Sequence, residues 1–424
     1  MTKILAMVLA GGRGKRMDIL CHVRPKPAIS FAGGFRVIDF SLSNCIHSGI
    51  KDITVLTDYQ RLKMAEYLNR WRLVNAGSLN FGIFEPRKGS YKGTADAVYQ
   101  NLDYLRNSDA ELVLVLAGDH IYKMDYREMV AFHERVKAGV TVGVVTVPIE
   151  QTYRFGTVRL SSDSQVTDFV EKSRNSPSNL ASMGIYVFEK KILMERLIED
   201  ANHSDSPHDF GYAILPSMLG KDKVNAYEFS GYWQDIGTPQ TYYAANMDLI
   251  CAQPRFSLNG TQPVLTQRLN LPPPNISREA KVVNSLVSPG CVIKGYVENS
   301  ILSPGVWVDA QAEVWNSVLM PNTFIGYHSV VDTCIIDEGV NIGKLCYIGF
   351  GKSPLSGDRD ITVLEKGVTV PSHTVIGRDS RVLPQADISI FIGSSSILSQ
   401  HGITQKSWEN EEVQENERKG VYAT

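Results

Sequence analysis

Four stretches superpose without gaps between residues 285 and 344: Ser285 to Gly295, Ser300 to Ala310, Ser317 to Tyr327 and Cys334 to Lys344, with starts 15, 17 and 17 residues apart. Each places aliphatic residues at fixed positions around a Pro-Gly, Pro-Asn or Glu-Gly turn. A unit this short cannot bury its own apolar face, so it is stable only when successive coils stack strand over strand, as in a parallel β-helix. Ile361 to Val370 and Val375 to Gly377 read as a further coil after an insertion. The tail from Trp408, dense in Glu, Asn and Lys, reads as a solvated helix or frayed end.

The first 250 residues have a different grammar. Apolar runs alternate with stretches of helical period, which is the signature of a mostly parallel sheet covered by helices. Ile4 to Ala10, Ile53 to Thr57, Leu112 to Leu116 and Thr141 to Val147 read as buried strands. Val37 to Ser48 reads as a helix ending at Gly49, and Thr94 to Leu105 as a second, with Thr94 as N-cap and Asp96 in the first turn. Residues 251–280, with Pro254, Pro272, Pro273 and Pro274, read as a linker or extended wrapping segment. The expected division is therefore 1–250 α/β, 251–280 linker and 281–424 β-helix.

The first strand runs into Gly11-Gly12-Arg13-Gly14-Lys15-Arg16, and Lys26 follows shortly after. Glycines let backbone N–H groups approach an anion, a helix starting just beyond would add its positive end, and Arg16 and Lys26 bring full charges. The stretch reads as a polyphosphate cradle. It is neither a P-loop nor a dinucleotide-binding turn, whose glycine spacings differ. In open α/β sheets ligands bind at the carboxyl ends of strands, where both this turn and Gly118-Asp119-His120 would fall.

Charge sharpens that reading. With 43 Lys+Arg against 45 Asp+Glu, no bulk basic field exists to draw nucleic acid or an anionic membrane, so a charged ligand must be met locally. No apolar run spans a bilayer and the apolar start lacks a signal-peptide pattern, which points to the cytoplasm. The six cysteines are scattered with no Cys-x-x-Cys pair, so neither zinc nor a disulfide framework is signalled.

The stretches Val8 to Gly14, Arg36 to Asn44, Lys92 to Val98, Leu116 to Tyr122, Asp168 to Lys172, Ser182 to Phe188, His208 to Gly211 and Tyr232 to Thr238, in this order, resemble the ADP-glucose pyrophosphorylases (glucose-1-phosphate adenylyltransferases) of bacterial type. The resemblance implies an α/β fold: a Rossmann-like nucleotidyltransferase domain with a mostly parallel sheet, followed by a parallel, left-handed β-helix domain for oligomerisation and regulation. It also implies formation of ADP-glucose and pyrophosphate from ATP and glucose 1-phosphate, for glycogen or another α-glucan. Arg16, Lys26 and Asp119 would be catalytic, with Mg2+ on Asp119 and Asp235. Gly11, Gly12, Gly14, Gly93, Thr94 and Asp96 would meet the nucleotide. Glucose 1-phosphate would fall to Tyr91, Gly156, Glu171, Lys172 and Ser182, with Glu171 accepting from sugar hydroxyls and Lys172 pairing with the phosphate. His120 and His208 are open to a structural or a direct role. A homotetramer is expected.

The family's effectors are sugar phosphates held by arginines and lysines, and here the pattern thins. Val23 and Gly34 stand where many relatives carry cations, the stretch Phe84 to Gly89 is short, Ser173 replaces a proline, and the last sixty or so residues match poorly. A phosphate effector and its identity are thus left open. So are a different nucleoside triphosphate, a non-catalytic regulatory subunit, and acyl transfer on the β-helix using His328, His373 or His401.

Overall fold

The apolar start of the chain forms strand β1 (Ile4–Leu9). In the computed structural model, which describes residues 2–384 apart from 78, 88 and 352–360, β1 sits inside a nine-stranded sheet. The expected tail from Trp408 and His401 lie outside the described residues. The other strands are β2 (Asp52–Leu56), β3 (Asn80–Phe84), β4 (Leu112–Ala117), β5 (Val140–Thr146), β6 (Gly156–Leu160), β7 (Val166–Glu171), β8 (Leu180–Glu189) and β9 (Val224–Glu228). Their order is β7-β6-β8-β4-β1-β2-β3, with β5 pairing both β8 and β9. β1 to β4 are mutually parallel, whereas β8 runs against β4, β5 and β6.

Burial explains the apolar runs. Leu5 and Met7 of β1 join Val113 and Val115 of β4 in one apolar cluster, while Ala6, Val8, Leu114 and Leu116, the alternate residues, are equally buried. A strand covered on both faces reads as continuous hydrophobicity rather than alternation.

Helix α1 (Ile38–His47) lies inside the expected span. The second expected helix is broken in two: α2 (Thr94–Tyr99) and α3 (Leu102–Asn107), with Asn101 at the break. Thr94 is not the N-cap. Gly93 is, and its side-chain role is taken by a carbonyl from elsewhere, since His208 O accepts from Ala95 N at 2.9 Å and Asp96 N at 3.1 Å. The helix expected after the glycine turn is also corrected. Lys15–Cys21 is a 3₁₀ segment interrupted at Asp18 (φ 55°, ψ −141°), so no aligned α-helical dipole stands behind the turn.

The chain divides into two compact units that do not follow one cut in the sequence. The first comprises the residues through Gly12, Val37–Gln234 and Leu258–Arg268. The second comprises Arg13–Arg36, Asp235–Ser257 and the chain from Leu269. Within the first, the wrapping segment is tied down by Leu265, whose N–H donates to Ser43 Oγ at 2.8 Å and whose carbonyl accepts from Trp71 Nε1 at 3.2 Å.

In the second unit the repeats form three six-stranded parallel sheets, the three sides of a β-helix. The first coil starts earlier than the repeats suggest, because Asn275–Ile276, inside the expected linker, pairs with Val292–Ile293. Register is fixed by stacked side chains. Ser285, Ser300 and Ser317 each accept through Oγ from the N–H one coil on, at 3.0, 3.0 and 3.1 Å. At one corner Asn284, Asn299 and Asn316 take φ of 41°, 47° and 45°, a left-handed turn that asparagine tolerates. Inside, Ile293, Val308, Ile325 and Ile342 stack in the apolar core.

Candidate functional site

The glycine turn begins where β1 ends. Gly11 O accepts from Tyr59 N at 3.3 Å, and a Cβ on Gly11 would press on the side chain of Asp58. Gly12 faces open space. Asp58 itself follows β2 and accepts from Tyr91 N at 3.1 Å, so it braces the segment carrying Tyr91. The Tyr91 hydroxyl is pushed up to about 12 by burial, and Asn101 Nδ2 lies 3.4 Å from it.

β4 delivers Asp119 just beyond its carboxyl end, as expected. The Asp119 carboxylate is partly exposed, and His120 Nε2 lies 3.5 Å from its Oδ1. The other ring nitrogen of His120 is 3.1 Å from Met183 O. That carbonyl is available because β8 loses register with β5 between Ser182 and Tyr186, at a Gly184 with φ 66°. Such irregularities re-aim side chains beside functional sites. Ser182 Oγ, on the same irregular stretch, accepts from Gly184 N at 3.3 Å.

β6 and β7 form an antiparallel pair in which Gly156 lies opposite Glu171. A Cβ on Gly156 or on Gly211 would overlap Glu171 Oε2, so the two glycines make a slot for this carboxylate. Burial pushes the Glu171 carboxyl above the ordinary glutamate range, Lys172 pulls it back, and Asp209 adds to the rise. Lys172 has φ 45°, its Nζ is 3.5 Å from Glu171 Oε1, and it lies over the Tyr212 ring. A buried acceptor beside a half-exposed cation suits a molecule carrying hydroxyls at one end and a phosphate at the other.

Gly93 abuts the carbonyls of Pro207 and His208, where any side chain would collide. Thr94 Oγ1 donates to Asp209 Oδ2 at 2.8 Å and accepts from Phe210 N at 3.0 Å. The Asp96 carboxylate turns back on its own segment, taking Lys92 N at 2.8 Å and Gln100 Nε2 at 2.7 Å.

The second unit carries its own charged cluster. Asp235 is almost fully buried, with Lys26 Nζ 2.8 Å from Oδ1 and Arg16 Nη2 3.9 Å from Oδ2. Gly14, at φ 64°, allows this, since a side chain there would meet Cys21 Sγ and Lys26 Cβ. Gly237 likewise leaves room for Arg16 and Asp235. Thus the structure joins Arg16, Lys26 and Asp235, and separately joins Gly156, Glu171 and Lys172.

Three contributors were not singled out from sequence: Asp58, Asp209 and Gly211. Asp58 carries the same signal as Asp119, a carboxylate just past a buried strand. Asp209 and Gly211 stand inside a stretch that carries the family resemblance, but their partners lie far away in the chain. Among the described residues no group of three or more His, Cys, Asp or Glu side chains gathers as a metal site, and no helix is long and apolar enough to cross a membrane.

Residues 5–251 match the nucleotidyl transferase family, and residues 274–370 match the GlmU-like C-terminal hexapeptide family. The chain is similar to the glucose-1-phosphate adenylyltransferase of Bacillus cytotoxicus, 43% identical with 80% of this chain and 92% of the relative aligned. The enzyme of that name from Acetivibrio thermocellus is 38% identical, covering 90% and 93%, and that from Fervidobacterium nodosum is 39% identical, covering 94% and 97%. A transferase sheet bearing the glycine turn and Asp119, a hexapeptide β-helix, and likeness along nearly the whole length agree: the chain belongs to the glucose-1-phosphate adenylyltransferase family.

Proposed function

We propose that the chain catalyses transfer of the adenylyl group of ATP to glucose 1-phosphate, giving ADP-glucose and pyrophosphate for α-glucan synthesis. A phosphate oxygen of glucose 1-phosphate attacks the α-phosphorus, the bond to the β-phosphate oxygen breaks, and pyrophosphate leaves with the electron pair. No covalent nucleophile is needed, so the protein's task is to position and to neutralise charge. The pairing of Lys26 and Arg16 on one buried carboxylate is the observation that carries the reading: it holds two cations ready for a polyphosphate.

Gly11, Gly12 and Gly14 give the triphosphate close backbone approach, while Arg16 and Lys26 stabilise the charge that builds on the departing pyrophosphate. Gly93, Thr94 and Asp96 shape the nucleotide side. Glu171 accepts from sugar hydroxyls, Lys172 pairs with the sugar's phosphate, and Tyr91, Gly156 and Ser182 complete that pocket. Nucleotidyltransferases generally work with a divalent metal. Carboxylates are the donors a hard cation takes, and in this reading Asp119, partly exposed, and Asp235 would hold Mg2+, which when bound offsets the negative charge of the reacting phosphates. A cytoplasmic enzyme is the reading these substrates support.

A homotetramer is part of the same reading. Tyr347, Phe350 and Val375 of the β-helix are each 36–37% exposed, apolar surface suited to a second copy. Regulation by a phosphate effector is expected to be weak.

The test is a panel: the protein with glucose 1-phosphate, Mg2+ and each nucleoside triphosphate in turn, following pyrophosphate. ATP should be the best substrate. A clear preference for a pyrimidine triphosphate would overturn the assignment, and no release at all would return the chain to the regulatory-subunit reading.

A further inference from the structure

One loop, residues 206–211, reaches both halves of the first unit's site. On one side His208 O takes the N–H groups of Ala95 and Asp96, Gly93 lies against Pro207 and His208, and Asp209 takes the Thr94 hydroxyl. On the other, Gly211 forms a wall of the slot that holds Glu171. The loop is itself held by a third element, the helix Lys190–Ala201. Asp200 near its end pairs through Oδ2 with His208 Nδ1 at 2.7 Å, and through Oδ1 with the Ser206 hydroxyl. Ser206 Oγ in turn accepts from His208 N at 3.0 Å. His208 has φ 52°, a left-handed conformation that is uncommon for a non-glycine residue and that the bonds around it hold in place. His208 and Asp200 side chains are only 8% and 11% exposed, so the pair competes little with water.

We propose that Asp200 and His208 are positioning residues which lock this loop against both the nucleotide-side turn at Gly93-Thr94 and the sugar-side carboxylate Glu171, and thereby couple the binding of the two substrates. The proposal rests on the functional reading given above for Gly93, Thr94 and Glu171. Neither residue touches substrate. When the lock is in place, a nucleotide that orders Thr94 also orders Asp209 and Gly211, so the slot around Glu171 is formed before the sugar arrives. Without it, each substrate must order its own half.

Steady-state kinetics of the full chain with ATP, glucose 1-phosphate and Mg2+ tests this. In Asp200→Ala the KM values for both substrates should rise together, by about tenfold, with kcat within about threefold, because the ordering that the lock supplies serves ground and transition states alike. Asp200→Asn keeps an oxygen acceptor for His208 Nδ1–H and should bring both KM values back to within about threefold of wild type. Lower kcat at unchanged KM values, or a rise in one KM alone, overturns the coupling. If Asp200→Ala does not fold, Ser206→Ala decides instead: a joint rise supports the lock, and two unchanged KM values refute it. Amide exchange at Ala95 and Asp96 reads the lock without turnover and should be faster in the variants than in wild type. Unchanged protection there refutes the lock itself. An inactive wild-type protein whose variants still lose that protection refutes only the functional reading.

Discussion

Two carboxylates define the residue scale, and they are set apart by their surroundings. Asp119 is partly open and has an imidazole nearby, whereas Glu171 is shut in a slot between Gly156 and Gly211. Asp119→Asn keeps the shape and removes one unit of charge from the proposed metal position. Turnover should fall by roughly 10²–10³, the usual loss when one stabilising group is taken from a preorganised site. Near-normal turnover, measured as pyrophosphate release, would show that the metal is held elsewhere. Glu171→Gln should act oppositely on stability and activity. A carboxyl raised by burial favours folding in its protonated form, and that contribution is lost as pH rises past the elevated value. At neutral pH the ionised group therefore opposes folding. The glutamine variant should be more stable there, by about 0.5–2 kcal/mol, while losing affinity for glucose 1-phosphate. The gain should vanish as pH falls into the ordinary glutamate range, about 4.3. Denaturant melts at both pH values decide it, and equal stability at neutral pH would mean that Lys172 fully offsets the burial. The sequence marked both carboxylates as candidates through the stretches that carry the family resemblance. It could not show the slot, because Gly211 and Glu171 meet only through tertiary packing.

At the scale of elements, periodicity located the strands to within a residue or two. β1, β2, β4 and β5 all lie where continuous apolar runs end in polar or glycine punctuation. What failed was capping. Thr94 looked like an N-cap because threonine commonly is one, yet its hydroxyl serves Asp209 and Phe210, and the His208 carbonyl, 113 residues from Ala95 and 112 from Asp96, closes the helix start. No local pattern reports a partner so distant. The glycine turn failed in the same way: the residues after it form a broken 3₁₀ segment because Asp18 leaves helical geometry. The repeats, in contrast, were legible nearly in full, since a coil's neighbours are the coils before and after it. His328 and His373, offered as acyl-transfer bases, both occupy left-handed turns, at φ 58° and 65°. The serine column gives a direct test. Ser317 Oγ accepts from Cys334 N and donates to Trp315 O, all within the buried wall. Ser317→Ala leaves that N–H without its acceptor and should destabilise the β-helix by about 1–3 kcal/mol. A thermal melt unchanged from wild type would show that a water replaces the hydroxyl.

For the molecule as a whole, the sequence implied a simple succession of domains, whereas Arg13–Arg36 and Asp235–Ser257 are grouped with the β-helix in the second unit. This grouping bears on regulation. Arg24 is buried, bonded to Asp337, and its Nη1 is 3.2 Å from Glu338 Oε2. Arg36 also pairs with Glu338, which further accepts from Ser30 Oγ and Lys366 Nζ, each at 2.9 Å. Burial would push the Glu338 carboxyl up, but Arg36 and Arg24, helped by Lys366, hold it well below the usual range, so it stays ionised through any working pH. Two cations of this unit, Arg24 and Arg36, are thus joined to carboxylates of the β-helix, and Glu338 is further held by Ser30 and Lys366. A bisphosphate would have to expel an ionised, multiply bonded Glu338, and each charge-assisted bond it displaced contributes about 1.5–3 kcal/mol. Val23 and Gly34 add no charge to compensate. Fructose 1,6-bisphosphate added at subsaturating ATP should therefore change the velocity by less than about twofold, the limit set by a gain in binding well below the roughly 1.4 kcal/mol that makes a tenfold shift. Several-fold activation at micromolar concentrations would mean that other cations, such as Arg87 in the short segment after β3, bind it instead.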